Sequence, residues 1–470
     1  MWKLEEFADN SAIVDEYGTA LTYAELAVYC DEITRHVAKR CLVFSLCTNT
    51  VGSIAGYVAF INNRIVPVML NAHLEDELLN SLLDKYRPEY IWLPENMTDA
   101  FSDMTILCSV LGYSLIKTEY AIHYELNDEL CLLLTTSGST GSPKFVRQSY
   151  SNVRANAESI VEYLELDSSE RPITTLPMNY TYGLSIINSH LMVGATILVT
   201  DKGIMQKEFW KFFKDNEATS FGGVPYTYEM LDRLRFYRMN LPSLRYMTQA
   251  GGKITVELHQ KFAEYATNTN KKFIVMYGQC EATARMGYLP ADKALEKCGS
   301  MGIAIPGGKF CIIDDEGSLI TNSNTPGELV YEGENVTLGY AEQGEDLLKG
   351  DERHGVLHTG DIAQFDDDGF YYIVGRKKRF LKIYGNRVNL DEIDRMIKGQ
   401  FDNADVASAG VDDHMFIFVT ESKIAEAVRD FVIAKTKLNP AAFKTIVVNE
   451  IPKNDSGKVQ YKLLAKYYEE

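Results

Sequence analysis

Residues 130–144 read LCLLLTTSGSTGSPK, an apolar run that empties into a loop of Ser, Thr and Gly closed by Lys144. A short run that is apolar throughout is the pattern of a buried sheet strand. The loop after it has the makings of a polyphosphate cradle. Gly138 and Gly141 let the backbone approach an anion, the hydroxyls of Thr136, Ser137, Ser139 and Thr140 donate to its oxygens, and Lys144 adds a compact positive charge. The segment is not a Walker loop: GSTGSPKF lacks the GxxxxGK[ST] spacing, and a proline precedes the lysine. By itself such a run is also a common turn or linker.

On either side, strand-like and helix-like segments alternate. Residues 273–276 and 310–313 repeat the short apolar pattern, while 151–164 (SNVRANAESIVEYL), 206–213 and 255–266 space their apolar positions helically after capping residues. The fold class is therefore α/β. Residues 363–374 (AQFDDDGFYYIV) place an Asp/Gly turn between two alternating runs, which predicts a hairpin. Beyond Arg376 come a helix near 390–397, a strand near 415–420, a helix near 423–435 and a strand near 445–448, enough for a small α+β domain.

Charge marks the same break. The chain of 470 residues carries a net charge of −18, yet residues 377–470 hold 16 basic against 14 acidic residues, a net of +2, and residues 1–376 hold 31 against 51, a net of −20. Two domains are expected, 1–376 and 377–470. An acidic body argues against nucleic-acid binding, which needs a basic surface to neutralise phosphates. The start, MWKLEEFADN, has no apolar stretch, and no run approaches the 18 or so apolar residues of a membrane span. Eight cysteines include no CxxC pair, which reads as reduced thiols and a cytoplasmic location.

Further motifs follow the loop in a fixed order: YGQCEAT (277–283), GSMGIAIPG (299–307), GELVYEGENVTLGY (327–340), HTGD (358–361), GRKKRFLKIYGNRV (375–388) and PKNDSGK (452–458). Together with LTYAEL at 21–26, they make the chain resemble the adenylate-forming ANL superfamily of acyl-CoA synthetases, peptide-synthetase adenylation domains and beetle luciferases. The resemblance spans nearly the whole sequence. It implies a large multi-layer α/β N-terminal domain, a small mobile α+β C-terminal domain, and two half-reactions. A carboxylate first attacks the α-phosphate of Mg-ATP to give an acyl-adenylate and pyrophosphate; the small domain then swings, and a thiol or amine displaces AMP.

The resemblance also implies roles for residues. Lys458 bridges the carboxylate and the α-phosphate, where like charges meet and cations must be aimed at the transition state. Glu281 organises Mg²⁺, an ion that prefers hard oxygen ligands. Tyr277 lies against the adenine, beside Gly278, and Gly251 and Gly252 let backbone approach the nucleotide. Asp361 and Arg376 hold the ribose hydroxyls. Lys378 is the hinge, and Lys382 reaches the adenylate after the swing. The loop 136–144 grips the β- and γ-phosphates.

Several positions depart from the family pattern. Cys280 stands where Thr or Ser is usual and is a poor donor, which raises the alternative of a catalytically weak nucleotide binder. Phe145 stands where glycine is usual. In LPMNYTYGL (176–184), Tyr180 takes the position of the family's histidine gate, and Thr181 that of the aspartate that pairs with an amino acid's ammonium group. A buried ammonium needs a partner, so Thr181 points to a fatty, aryl or hydroxy acid. Gly222 and Gly223, in FGGVPYTYEM, either leave room for that acid or form a tight loop. The acceptor is expected to be CoA, with the phosphopantetheine of an acyl-carrier protein as the alternative; both are acidic and suit the basic C-terminal part. The absence of a carrier or condensation domain suggests a stand-alone ligase.

Overall fold

A computed structural model describes the chain apart from residues 38–39, 121–122, 136–143, 385, 402–403, 454–458 and 469–470, and apart from the side chains of residues 378, 380, 386 and 387. The candidate residues Thr136, Ser137, Gly138, Ser139, Thr140, Gly141 and Lys458 lie outside the described residues. The chain divides into two compact units. The first comprises Met1–Thr136, Ser142–Lys309 and Tyr331–Leu357; the second gathers Phe310–Val330 and His358–Glu470.

The first unit is built on two large sheets. In the eight-stranded one, Leu130–Thr135 pairs in parallel with Val66–Asn71 and antiparallel with Phe145–Ser149, and Gly339–Ala341 adds an edge beside Phe145–Ser149. The nine-stranded sheet has a parallel core in which Ser220–Gly223, Tyr246–Gln249 and Lys272–Tyr277 are successive neighbours. Helices Tyr23–Thr34, Val51–Asn62, Tyr150–Leu164 and Thr181–Met192 supply the apolar cluster that joins residues of both sheets, among them Ile13, Val199, Val43, Trp92 and Leu132. Val51–Asn62 is buried on every side, as its uniformly apolar sequence requires. At Gly56 a Cβ would fall 2.1 Å from the indole nitrogen of Trp92, so only glycine lets this helix seat against the sheet.

Tyr150–Leu164 starts one residue before the predicted helix. Its cap is Ser149 rather than Ser151, with Asn152 completing a reciprocal capping box. Gly222 and Gly223 form neither a tight loop nor free space. They end a buried strand, where a Cβ on Gly222 would meet Ile186 and Tyr182, and one on Gly223 would meet Thr227 and Tyr228. The space they leave is filled by the protein's own side chains.

In the second unit, Val406–Val411, His414–Val419 and Phe443–Val447 make a three-stranded sheet packed with helices Leu390–Gln400 and Ala425–Thr436. The first of these strands and the hairpin Phe380–Ile383 with Asn386–Asn389 have no counterpart in the sequence expectation. The predicted hairpin is present as Val356–Phe365 paired with Tyr371–Arg376. The charge break at residue 376 and the division into units do not coincide, because this hairpin belongs with the residues that follow it from His358 onward.

Candidate active site

In the first unit, three segments far apart in sequence meet at the ring of Tyr340. Sheet pairing sets Tyr340 opposite Val146, which places Lys144, the last residue of the predicted phosphate loop, against it. The Lys144 ammonium lies 3.6 Å from the ring centroid, and the Arg353 guanidinium lies 4.7 Å from it. The Tyr340 hydroxyl donates to Glu281 Oε1 at 2.7 Å. Burial, followed by the charge of Glu281, pushes the Tyr340 hydroxyl well above its ordinary pKa, so it stays protonated and keeps donating.

Glu281 sits in the short turn Cys280–Ala282 that follows the strand Lys272–Tyr277. Its backbone carbonyl accepts from the Thr337 amide and hydroxyl, both at 3.0 Å, and from Arg353 Nη1 at 2.9 Å. Arg353 Nη1 also donates to Thr337 Oγ1 at 2.6 Å. The turn itself depends on Gly278, where a Cβ would lie 1.6 Å from the carbonyl oxygen of Ala284. Among the described residues, no cluster of three His, Cys, Asp or Glu side chains forms a ready metal cage. Glu281 still fits Mg²⁺, because that ion is commonly held by one or two carboxylates plus substrate phosphates, and among the described residues only Oε1 of the Glu281 carboxylate accepts a hydrogen bond.

Cys280 is buried, and its thiol is 3.9 Å from the Thr135 carbonyl, a weak donor occupied by backbone. Gln279 Nε2 donates to the Tyr277 hydroxyl at 3.2 Å. Gly251 has φ +83°, and a Cβ there would fall 2.6 Å from the Tyr180 hydroxyl; Gly252 packs against Pro225. Burial, then the neighbouring Cys280, raises the pKa of Tyr180, so its hydroxyl is a neutral group between the Gly251 backbone and Cys280. Thr181 begins the next helix, and its hydroxyl is buried without a hydrogen-bond partner among the described residues.

In the second unit, the two predicted ribose ligands stand side by side. Asp361 and Arg376 are register partners across the hairpin, with Nε and Oδ1 3.6 Å apart. Lys377 pairs with Glu328 at 2.8 Å. Lys378 lies in the turn Lys377–Arg379, and the exposed Lys382 lies on the following hairpin, its amide donating to Asp412 at 2.8 Å. Arg379 is buried, its Nε 2.8 Å from Asp391, its Nη2 2.9 Å from Asp394, and its guanidinium 3.7 Å from the Tyr461 ring centroid.

Tyr340, Thr337 and Arg353 were not singled out by the sequence. Tyr340 closes the motif GELVYEGENVTLGY and carried that signal; Arg353 lies in an exposed-looking charged stretch, KGDERHG, and carried none.

Two cations and a carboxylate gathered at one ring in a two-sheet α/β unit are compatible with what the chain is similar to. The AMP-binding enzyme family model matches residues 2–341, and the chain belongs to that family. A probable CoA ligase from Humulus lupulus is 27% identical, with 98% of this chain and 94% of that protein covered. An oxalate–CoA ligase from Arabidopsis thaliana is 28% identical over 73% of this chain and 68% of that protein. The O-succinylbenzoate coenzyme A synthetase from Bacillus subtilis, solved with ATP and magnesium, shares the fold with a TM-score of 0.80 at 20% identity, covering 98% of both chains. The expected fold, membership of the adenylate-forming enzymes and an ATP-dependent acid–CoA ligase chemistry all agree with these relatives. No helix among the described residues is long and apolar enough to cross a membrane.

Proposed function

We propose that the chain activates a carboxylic acid other than an α-amino acid with ATP, forming an acyl-adenylate and pyrophosphate, and passes the acyl group to the thiol of CoA. The observation that carries this reading is the Tyr340 platform: two cations and one carboxylate converge where a Ser/Thr/Gly loop ends. Lys144 and Arg353 suit the charge that accumulates on departing pyrophosphate, and Tyr340 orients Glu281. Bound Mg²⁺ would neutralise phosphate charge at Glu281. Tyr277 and Gly278 are assigned to the adenine side, Asp361 and Arg376 to the ribose hydroxyls, Gly251 and Gly252 to the backbone approach, and Lys458 to the bridge between carboxylate and α-phosphate. Lys378 is assigned as the hinge between residues 1–376 and 377–470, and Lys382 to the thioester-forming step.

The relatives support the acceptor, since they are named as CoA ligases of oxalate and of O-succinylbenzoate. Thr181, standing where an ammonium-pairing aspartate is expected, supports an acid without an amino group. Pyrophosphate exchange into ATP over a panel of acids tests the first step, and AMP release with CoA or a phosphopantetheinylated carrier protein tests the second. Lys458→Ala should lower exchange by roughly 10²- to 10³-fold while ATP still binds, whereas Lys144→Ala should mainly raise the KM for ATP. No exchange with any acid, together with ATP bound but not consumed, would instead favour a nucleotide sensor. Such a sensor should gain exchange on Cys280→Thr.

A further inference from the structure

Arg285 lies four residues beyond Glu281 and is only 3% exposed, yet no carboxylate among the described residues pairs with it. Its Nε donates to Ser185 Oγ at 3.2 Å, and its Nη1 donates to the Tyr163 hydroxyl at 2.9 Å and the Met276 sulfur at 3.2 Å. The face of Tyr182 lies 5.3 Å from its Cζ. Every one of these neighbours is neutral, and Nη2 makes no hydrogen bond among the described residues. A desolvated guanidinium is normally offset by an anion. Arg379, which is also buried, is by contrast held by two aspartates.

The surroundings place this cation near Tyr180, the residue that takes the position of the family's acid-pocket gate. Tyr182 lies edge-on to Tyr180, with ring centroids 6.3 Å apart, and Tyr180 in turn faces Gly251. Ser185 is one helical turn from Thr181, on the same helix face, and the Thr181 hydroxyl is buried with no hydrogen-bond partner among the described residues. An unused nitrogen of the guanidinium whose Nε holds Ser185, and an unused hydroxyl one helical turn before that serine, make a donor set without an acceptor among the described residues. The nearby His190 is held neutral, its pKa pushed down to about 4 chiefly by burial and further by Arg285, so it supplies no competing charge.

Resting on the proposed adenylation of an acid, we infer that the acid carries a second carboxylate, held by Arg285 with the Thr181 hydroxyl as the accompanying donor. The substrate class is then a dicarboxylic acid, activated at one end and anchored at the other. An acid lacking the second charge would leave the guanidinium buried and unpaired, which penalises it further.

The test is pyrophosphate exchange with a set of aliphatic and aryl dicarboxylic acids, each against its monomethyl ester. For the best diacid, kcat/KM should exceed that of its monoester by about 100-fold. Arg285→Met should collapse that ratio to within about tenfold, and Arg285→Lys, which keeps the charge but loses the fork, should give an intermediate ratio. A wild-type enzyme that uses monoesters or plain monocarboxylic acids as well as diacids overturns the inference while leaving adenylation standing. A ratio that survives Arg285→Met in folded, ATP-binding protein overturns it too. If the methionine variant does not fold, the wild-type ratio alone decides. Exchange with no acid at all removes the adenylation reading, and this inference with it.

Discussion

Tyr340 shows how much chemistry a single side chain can organise. Its ring lies against two cations that would repel one another in the open, and its hydroxyl fixes the carboxylate assigned to Mg²⁺. Tyr340→Phe keeps the ring and removes one hydrogen bond to a charged group, an interaction that typically contributes about 1.5–3 kcal/mol. Exchange should fall by roughly 10- to 100-fold, with Tyr340→Leu falling further because the cations also lose the π-face. Glu281→Gln should lower exchange by about 10²- to 10³-fold and alter its Mg²⁺ dependence. If Glu281→Gln titrates with Mg²⁺ as the wild type does, the assignment of this carboxylate is wrong. Cys280 belongs to the same scale: its buried thiol lies 3.9 Å from the Thr135 carbonyl, a long and weak donor contact, so in an active ligase Cys280→Thr should change exchange by less than about tenfold.

At the scale of elements, the turn after Lys272–Tyr277 and the Arg379 cluster of the second unit are the two constructions to perturb. Gly278→Ala would force its new methyl into the Ala284 carbonyl, so the turn that presents Glu281 must shift. A loss of roughly 1–3 kcal/mol is expected, read as a lower thermal midpoint, together with a fall in exchange. Arg379 ties the turn Lys377–Arg379 to helix Leu390–Gln400 and to Tyr461. Arg379→Ala would strand Asp394, a buried carboxyl, and should destabilise the second unit by about 3–5 kcal/mol in urea unfolding. An unchanged unfolding midpoint would mean that water replaces the guanidinium there.

Across the whole molecule, acidity rather than heat is the informative stress. His190 and His259 are both buried, and burial pushes each imidazole down to about 4 from the ordinary 6.5. A folded-state pKa below the unfolded one means that the unfolded chain binds the extra protons. The stabilisation from two neutral imidazoles is therefore present above pH 6.5 and is lost as pH falls towards 4, on the order of 3 kcal/mol for each. Urea midpoints should decline steadily between pH 7 and pH 5. A flat or rising midpoint would show that relief of repulsion in a chain of net charge −18 outweighs both histidines.

The sequence by itself determined the α/β class, the strand at 130–135, the hairpin before Arg376, and the family, because those rest on local periodicity and on motifs whose order survives in one dimension. It named Glu281, Lys144, Asp361 and Arg376, and the tertiary structure brought each of the two pairs into one unit. What only that structure decided depends on which neighbours come from far along the chain. Strand pairing between Tyr340 and Val146 is what turns Lys144, Glu281 and Arg353 into one site. Gly222 and Gly223 read either as room for a substrate or as a tight loop, and the packing made them the end of a buried strand whose space Tyr182 and Tyr228 fill. Arg285, one arginine among many in the sequence, acquires meaning only from burial and from the absence of an opposite charge among the described residues, and neither property is written in local sequence.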